Sequence, residues 1–95
     1  MADTESKAGF KTTSRNGFHL TFANGYTVSV QWNGGNYCDD RSFEDTRNIE
    51  RDCATAEVAA WSADGEWLRL SENDDVIGWQ TAEQVAAIIA DVSSR

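Results

Sequence analysis

The fold is decided by one stretch with a turn at its centre, Phe18-His-Leu-Thr-Phe-Ala-Asn-Gly-Tyr-Thr-Val-Ser-Val30. Apolar and polar residues alternate on both sides of Ala23-Asn24-Gly25, which is typical of the two strands of a β-hairpin. A three-residue loop pairs Leu20 with Val28 and leaves the apolar residues on one face, whereas a two-residue loop would mix the faces. Such a loop needs a left-handed residue at its third position, where Gly25 stands.

A second hairpin is predicted at Ala63-Asp64-Gly65, which repeats the turn pattern between two further apolar runs. The same three-residue loop pairs Val58 with Leu70 on one face. Trp61 then lies directly across from Trp67 on the opposite face. The strands expected from the two hairpins cover residues 17–23, 26–32, 54–62 and 66–71.

The C-terminal helix is predicted by a capping box, Thr81-Ala-Glu-Gln84, in which the threonine accepts from the first turn and the glutamine reaches back. Apolar residues then recur at helical spacing, at Val85, Ile88, Ile89 and Val92. This stripe needs an apolar partner, which the sheet supplies. We therefore expect an α+β fold of two layers, a four-stranded antiparallel sheet of two hairpins packed on one helix. Trp79, just before the cap, is expected to pack the helix against the sheet edge.

Domain organisation follows from composition. Residues 1–15 are polar and are expected to form a flexible tail, and residues 16–95 are long enough for a single α+β domain. Residues 36–53 are dense in charge and long for a structureless connection inside a compact domain. We expect this segment to be either a long charged loop or a short helix over 43–50.

The chain is acidic, with 16 Asp and Glu against 8 Lys and Arg and a formal net charge of −8. Residues 57–75 hold six acids and one arginine. Such a surface repels nucleic acid and anionic membranes and attracts a basic partner, although many small proteins are acidic for solubility alone. The N-terminal residues lack the apolar core of a signal peptide, and no apolar run is long enough to span a membrane. We therefore expect a cytosolic protein without membrane contact.

The tryptophans of the second hairpin are the strongest candidates for function. If the helix covers the other face of the sheet, Trp61 and Trp67 are either exposed or covered by residues 36–53. An exposed aromatic pair bordered by acids has the composition of an interface hot spot. The expected interaction site has the two tryptophans as anchors and an acidic rim formed by Glu57, Asp64, Glu66, Asp39 and Asp40.

Cys38, Cys53 and His19 suggest thiol or metal chemistry. The cysteines are too far apart for the tight pairs typical of structural zinc sites, so we expect thiols, with a disulfide or a metal site as open alternatives. Neither Asp39-Asp40 nor Asp74-Asp75 has the spacing of a calcium loop. The sequence shows no catalytic constellation, phosphate loop or basic patch. We therefore expect no enzyme, no metal, no cofactor and no direct nucleic-acid binding.

Four runs of residues carry a resemblance to a known group, at positions 17–32, 36–41, 56–61 and 78–85. Together they resemble small uncharacterised accessory proteins of tailed bacteriophages, over about residues 16–93. The resemblance implies a viral accessory protein that acts in the cytoplasm of the host. It carries over no functional residue, because that group has no assigned catalytic motif.

These observations favour a non-enzymatic protein, monomeric or dimeric, that binds a host protein with a basic surface. A narrower form is an acidic face that mimics DNA and inhibits a host defence or nucleic-acid enzyme. The alternative is a minor structural or assembly protein that self-associates through its tryptophan face. A small thiol or metal enzyme built on Cys38 and Cys53 is the third hypothesis.

Overall fold

The computed structural model describes residues 8–13, 16–39, 49–72 and 74–95. Within these ranges the chain forms five β-strands followed by one α-helix. The elements in chain order are β1 (Gly9–Thr12), β2 (Gly17–Thr21), β3 (Thr27–Gln31), β4 (Ala56–Trp61), β5 (Val76–Gln80) and α1 (Ala82–Ser93). The strands form one antiparallel sheet in the order β1-β2-β3-β4-β5. The α+β class, the antiparallel sheet and the C-terminal helix are thus confirmed.

The first hairpin has the predicted register. Leu20 lies opposite Val28 and Phe18 opposite Val30. The loop closes through a 2.9 Å bond from the Phe22 N–H to the Tyr26 carbonyl. Its third residue, glycine 25, has a φ of 90°, the left-handed conformation that the three-residue loop requires.

The prediction of four strands is wrong at the N-terminal edge. Residues 9–12, assigned to a flexible tail by their polar surroundings, form β1 and pair with β2. Lys11 lies opposite His19, and Phe10 lies opposite Leu20. A strand of only four residues is too short to show alternation by itself, and it forms here because β2 offers it an unpaired edge. The rest of the predicted tail, residues 1–7 and 14–15, lies outside the described residues.

The second predicted hairpin is correct at its turn and wrong beyond it. Trp61 and Trp67 form an antiparallel bridge, and the Leu68 N–H donates to the Ala60 carbonyl at 2.9 Å, but residues 69–71 then leave the sheet. β4 pairs with β5 instead, so Val58 lies opposite Ile77 and not opposite Leu70. The N–H groups of Leu70 and Ser71 both donate to the Asp74 carbonyl, at 3.1 and 3.2 Å, which turns the chain back towards β5.

The helix begins as predicted and covers one face of the sheet, called here the helix-side face. The Gln84 N–H donates to Thr81 Oγ1 at 3.2 Å, and the Thr81 N–H donates to Gln84 Oε1 at 2.8 Å, which completes the capping box. The buried core lies between helix and sheet and consists of Val28, Val30, Ala56, Val58, Ala60, Val85 and Val92. Small alanines on β4 let the helix approach the sheet closely.

The predicted role of Trp79 is wrong. This residue belongs to β5, is exposed, and stacks on Tyr37 instead of packing the helix against the sheet edge. The expected helix over 43–50 lies almost wholly outside the described residues. In the part of the chain that the structure describes, no helix has the length and apolar character needed to cross a membrane.

Candidate functional site

The candidate site is the sheet face that points away from the helix, called here the open face. The strand register places His19, Ser29 and Ala59 in one row across this face, with Lys11 and Val76 at its ends. Hydroxyl and amide side chains surround the row, and two of them, Thr21 and Thr27, share a hydrogen bond with oxygens 2.8 Å apart. Polar residues and tryptophans thus line this face. Residues 40–48, which belong to the segment named as a possible cover for the tryptophans, lie outside the described residues.

Three aromatic rings form a continuous row on the open face. The ring centroids of His19 and Trp61 are 5.2 Å apart with an interplanar angle of 83°, and those of Trp61 and Trp67 are 5.4 Å apart with an angle of 57°. Trp61 is half-buried, whereas Trp67 keeps 54% of its surface exposed. The predicted pairing of the two tryptophans is confirmed, and Trp67 is the outer member.

A tight turn holds the two tryptophans in place. The Ser62 N–H donates to the Glu66 carbonyl at 2.8 Å, and the Gly65 N–H donates to the Ser62 carbonyl at 2.9 Å. The Ser62 hydroxyl oxygen accepts from the N–H groups of Asp64 and Glu66 at 3.3 and 3.2 Å. These bonds fix the backbone on both sides of the turn, so the outer indole is presented from a rigid support.

The predicted acidic rim divides between the two ends of β4. Asp64 and Glu66 are exposed in the turn beside the tryptophans. Glu57 lies at the other end of β4, where Oε1 accepts from the Asn36 Nδ2 at 2.9 Å and Oε2 accepts from the Tyr37 N–H at 3.1 Å. Both oxygens of Glu57 are therefore engaged within the protein, and this carboxylate holds a turn in place.

The remaining two predicted rim residues do not lie beside Trp67. Asp39 is exposed, and its N–H donates to Thr55 Oγ1 at 2.8 Å, just before β4 begins. Asp40 lies outside the described residues. The structure therefore brings Asp64 and Glu66 next to the tryptophans and places Glu57 and Asp39 at the far end of the strand.

A second aromatic pair lies at the Glu57 end of β4 and was not predicted from the sequence. The rings of Tyr37 and Trp79 have centroids 5.5 Å apart and are inclined by only 30°. Both are exposed, at 45% and 52%. The backbone N–H of Trp79 donates to the backbone carbonyl of Tyr37 at 2.8 Å. A Cβ added to Gly78 would overlap the Tyr37 side chain, so glycine is required beneath this ring.

The backbone at Trp79 is strained. Its φ of 53° lies in the left-handed region, and among the described residues it is the one non-glycine residue with a positive φ. The register between β4 and β5 shifts at this point, as in a β-bulge. The sequence signal for such a bulge is a glycine inside a strand pattern, here the glycine that precedes Trp79.

His19 titrates below its ordinary range. Burial lowers the pKa of this imidazole below 6.5, because the charged form loses solvation, and the Lys11 ammonium on β1 lowers it further. The imidazole is therefore neutral at neutral pH. It contributes a ring to the aromatic row without adding charge to the open face.

The residues considered for thiol or metal chemistry lie apart from this face. Cys38 is buried, with Sγ 3.7 Å from the Asn33 carbonyl, and Cys53 is half-buried. The two do not form a disulfide with each other. Among the described residues, no group of three or more His, Cys, Asp or Glu side chains is arranged to hold a metal ion.

An apolar cleft of about 540 Å³ opens on the helix-side face, between α1 and residues 51–56. Phe18 and Trp32 form one wall and meet edge to face with centroids 6.2 Å apart. Val85 and Ile89 of the helix form the other wall. The cleft exists because a single helix is narrower than a five-stranded sheet and leaves part of the apolar face uncovered.

No protein-family model matches this chain, and neither a curated protein nor a solved structure is significantly similar to it.

Proposed function

We propose that the protein is a non-enzymatic interaction module that binds a partner protein through the open face, with Trp61 and Trp67 as anchors. The observation that carries this proposal is the position of Trp67. Its indole is 54% exposed, yet it is held on a tight turn and backed by a second tryptophan. An indole has few rotatable bonds and a large surface, so it loses little side-chain entropy when a partner covers it, and tryptophan is enriched at interface hot spots.

Charge supports a basic partner. The turn carries exposed Asp64 and Glu66, and the chain that follows carries three more exposed acids. These are Glu72, Asp74 and Asp75. One cation, Arg69, lies among these acids, and its Nη1 donates to the Glu72 carbonyl at 3.4 Å. A negative field at the anchor accelerates encounter with a positively charged surface and disfavours binding to nucleic acid.

The resemblance to accessory proteins of tailed bacteriophages supports a partner in the cytoplasm of a bacterial host. The narrower form of the proposal is an inhibitor of a host defence or nucleic-acid enzyme, in which the acidic turn takes the place of DNA. This form requires the protein and DNA to compete for the same enzyme. Simultaneous binding of both would contradict it.

The proposal is tested by capture of a bacterial host protein on the immobilised chain. We expect wild type to capture a specific protein and Trp67→Ala to lose it. The matched control is Phe10→Ala, because Phe10 is 89% exposed and lies on the helix-side face. Equal capture by wild type and Trp67→Ala would contradict the proposal.

The alternative, a structural or assembly protein that self-associates through the tryptophan face, predicts a different outcome. Wild type would then form a stable homo-oligomer in solution, and Trp67→Ala would convert it to the monomer. Sedimentation velocity of the two purified chains separates the hypotheses. A monomer whose Trp67 is needed for capture supports the interaction module.

A further inference from the structure

We propose that the open face takes an extended basic segment of the partner protein and holds it at two points. A cationic side chain binds at Trp61 and Trp67, and an apolar side chain binds at Tyr37 and Trp79. This inference rests on the proposed function and specifies the chemistry of its partner. The inference adds a second anchor, formed by Tyr37 and Trp79, to the first anchor formed by Trp61 and Trp67.

The two aromatic pairs lie at opposite ends of β4. Trp61 is the last residue of the strand, and Glu57, near its start, accepts the Tyr37 N–H. Four positions along an extended strand correspond to about 13 Å. A bound chain in extended conformation has the same rise per residue, so side chains four positions apart reach both anchors.

The residues between the anchors are small. Ser29, which lies beneath the contact of Trp61 with His19, and Ala59 are both buried. Val76 on β5, opposite Ala59, is partly exposed. Because small residues separate the two anchors, an extended chain, which has the rise per residue of a strand, can span them.

The surroundings of the two anchors differ in charge. Asp64, Glu66, Asp74 and Asp75 are exposed in the segments that border the Trp67 end. Carboxylates beside an exposed indole favour a guanidinium or an ammonium, which gains a cation–π contact as well as the ionic attraction. At the other end both oxygens of Glu57 are bonded within the protein. That end also carries exposed Asp39, but its two exposed rings, Tyr37 and Trp79, favour an apolar or aromatic side chain.

The strain at Trp79 supports a binding role for this residue. A left-handed backbone at a bulky residue is costly and persists only where the surroundings impose it. Here the bond to the Tyr37 carbonyl and the contact of Tyr37 with Gly78 impose it. The result is an exposed indole stacked on a second exposed ring, an arrangement that the core does not need.

A neutral oligosaccharide could also stack on exposed aromatic rings. The charge of the surface favours a basic polypeptide, because residues 57–75 carry six acids and one arginine. A neutral sugar gains nothing from that field. A basic segment gains both in association rate and in specificity.

The experiment selects ligands from a random-peptide display library on the wild-type protein, with counter-selection on Trp67→Ala. We expect the enriched peptides to carry an arginine or lysine and an apolar residue about four positions apart. Trp79→Gly should lower the affinity of such a peptide about tenfold or more, and Phe10→Ala should leave it unchanged. Glycine is chosen because it relieves the left-handed strain at position 79, and circular dichroism of the variant checks that it remains folded.

Three outcomes of the peptide experiment would overturn the inference. These are enriched peptides without a basic residue, no enrichment at all, and binding that Trp79→Gly does not weaken. Maltohexaose is the neutral probe, and the indole NMR signals of Trp67 and Trp79 are the readout. If this sugar shifts both signals and no selected peptide does so, the inference is also overturned. Host-protein capture that needs Trp67 but not Trp79 leaves the proposed function standing and removes the second anchor.

Discussion

The indole of Trp61 on β4 reaches across β3 to meet the imidazole of His19 on β2, with ring centroids 5.2 Å apart and an interplanar angle of 83°. The two β3 side chains beneath this contact are buried, Thr27 at 4% and Ser29 at 7% exposure. Trp61 therefore stabilises the sheet in addition to its proposed part in binding, whereas Trp67, which lies beside it, presents more than half of its surface for binding. The two tryptophans differ in role although they pair with each other.

The first prediction separates the two tryptophans by stability. Trp61→Ala removes the contacts over β3 and should lower the free energy of unfolding by about 2–3 kcal/mol, the range for a large side chain that is partly buried. Trp67→Ala should cost less than about 1 kcal/mol, because most of its surface is already in water. Urea unfolding followed by circular dichroism measures both. Equal losses would contradict the different roles.

The second prediction concerns pH. The folded pKa of His19 lies below its ordinary value of 6.5, because of burial and the nearby Lys11. As pH falls through 6.5 the unfolded chain takes up a proton that the folded chain does not, so stability falls. The loss levels off once pH passes below the folded pKa. His19→Gln should flatten the dependence of the unfolding free energy between about pH 7 and pH 5.5. If the unfolding free energy of His19→Gln depends on pH as steeply as that of wild type, groups other than His19 cause the pH dependence.

The third prediction concerns the glycine beneath Tyr37. A Cβ at position 78 would overlap the Tyr37 side chain and approach its backbone, so Gly78→Ala must displace the turn that carries Tyr37. We expect a loss of about 1–3 kcal/mol in stability and a change in the indole signal of Trp79. Gly35→Ala is the matched control, because the nearest atom to its added Cβ is Asn33 Oδ1 at 3.4 Å. The same loss in both variants would exclude the overlap as its cause.

The fourth prediction concerns the bond between the first turn and the end of the helix. Asn24 Nδ2 donates to the carbonyls of Val92 and Arg95, at 3.0 and 3.2 Å, and Oδ1 accepts from the Tyr26 N–H at 3.0 Å. Asn24→Asp keeps the acceptor, loses the donor and adds negative charge at the helix C-terminus. We expect it to cost about 1–2 kcal/mol and to speed amide exchange in the last helical turn.

Asn24→Ala is the companion variant for this prediction, because it removes the donor and the acceptor without adding charge. It should also speed amide exchange at Tyr26. If amide exchange at the end of the helix is as slow in both variants as in wild type, the hydrogen bonds from Asn24 do not stabilise the last helical turn.

Short sequence patterns predicted the parts of the fold that depend on neighbouring residues, namely the first hairpin and the start of the helix. The alternation around Gly25 gave the register of the first hairpin, and the capping box at Thr81 gave the start of the helix. The second hairpin failed because two apolar runs compete for the same edge of β4. Val76 and Ile77 occupy that edge, and Leu68 and Leu70 bury their side chains against the core without forming a strand.

The candidate site was predictable only in its local half. Trp61 and Trp67 face each other across a short turn, so their pairing follows from the spacing. Tyr37 and Trp79 are separated by about half of the domain in sequence and meet through the bond from the Trp79 backbone N–H to the Tyr37 carbonyl. No periodicity reports a contact of that kind. The left-handed bulge at Trp79 also reverses the direction that simple alternation assigns to its side chain.

The most direct test of the account is the affinity of the captured partner for three chains, wild type, Trp67→Phe and Trp67→Ala, measured by titration calorimetry. We expect alanine to weaken binding about tenfold or more and phenylalanine, which keeps an aromatic face, to weaken it less. Raising the salt concentration should weaken the affinity of all three chains, because salt screens the attraction between the acidic turn and a basic partner. An affinity that is the same for wild type and Trp67→Ala would contradict the central claim.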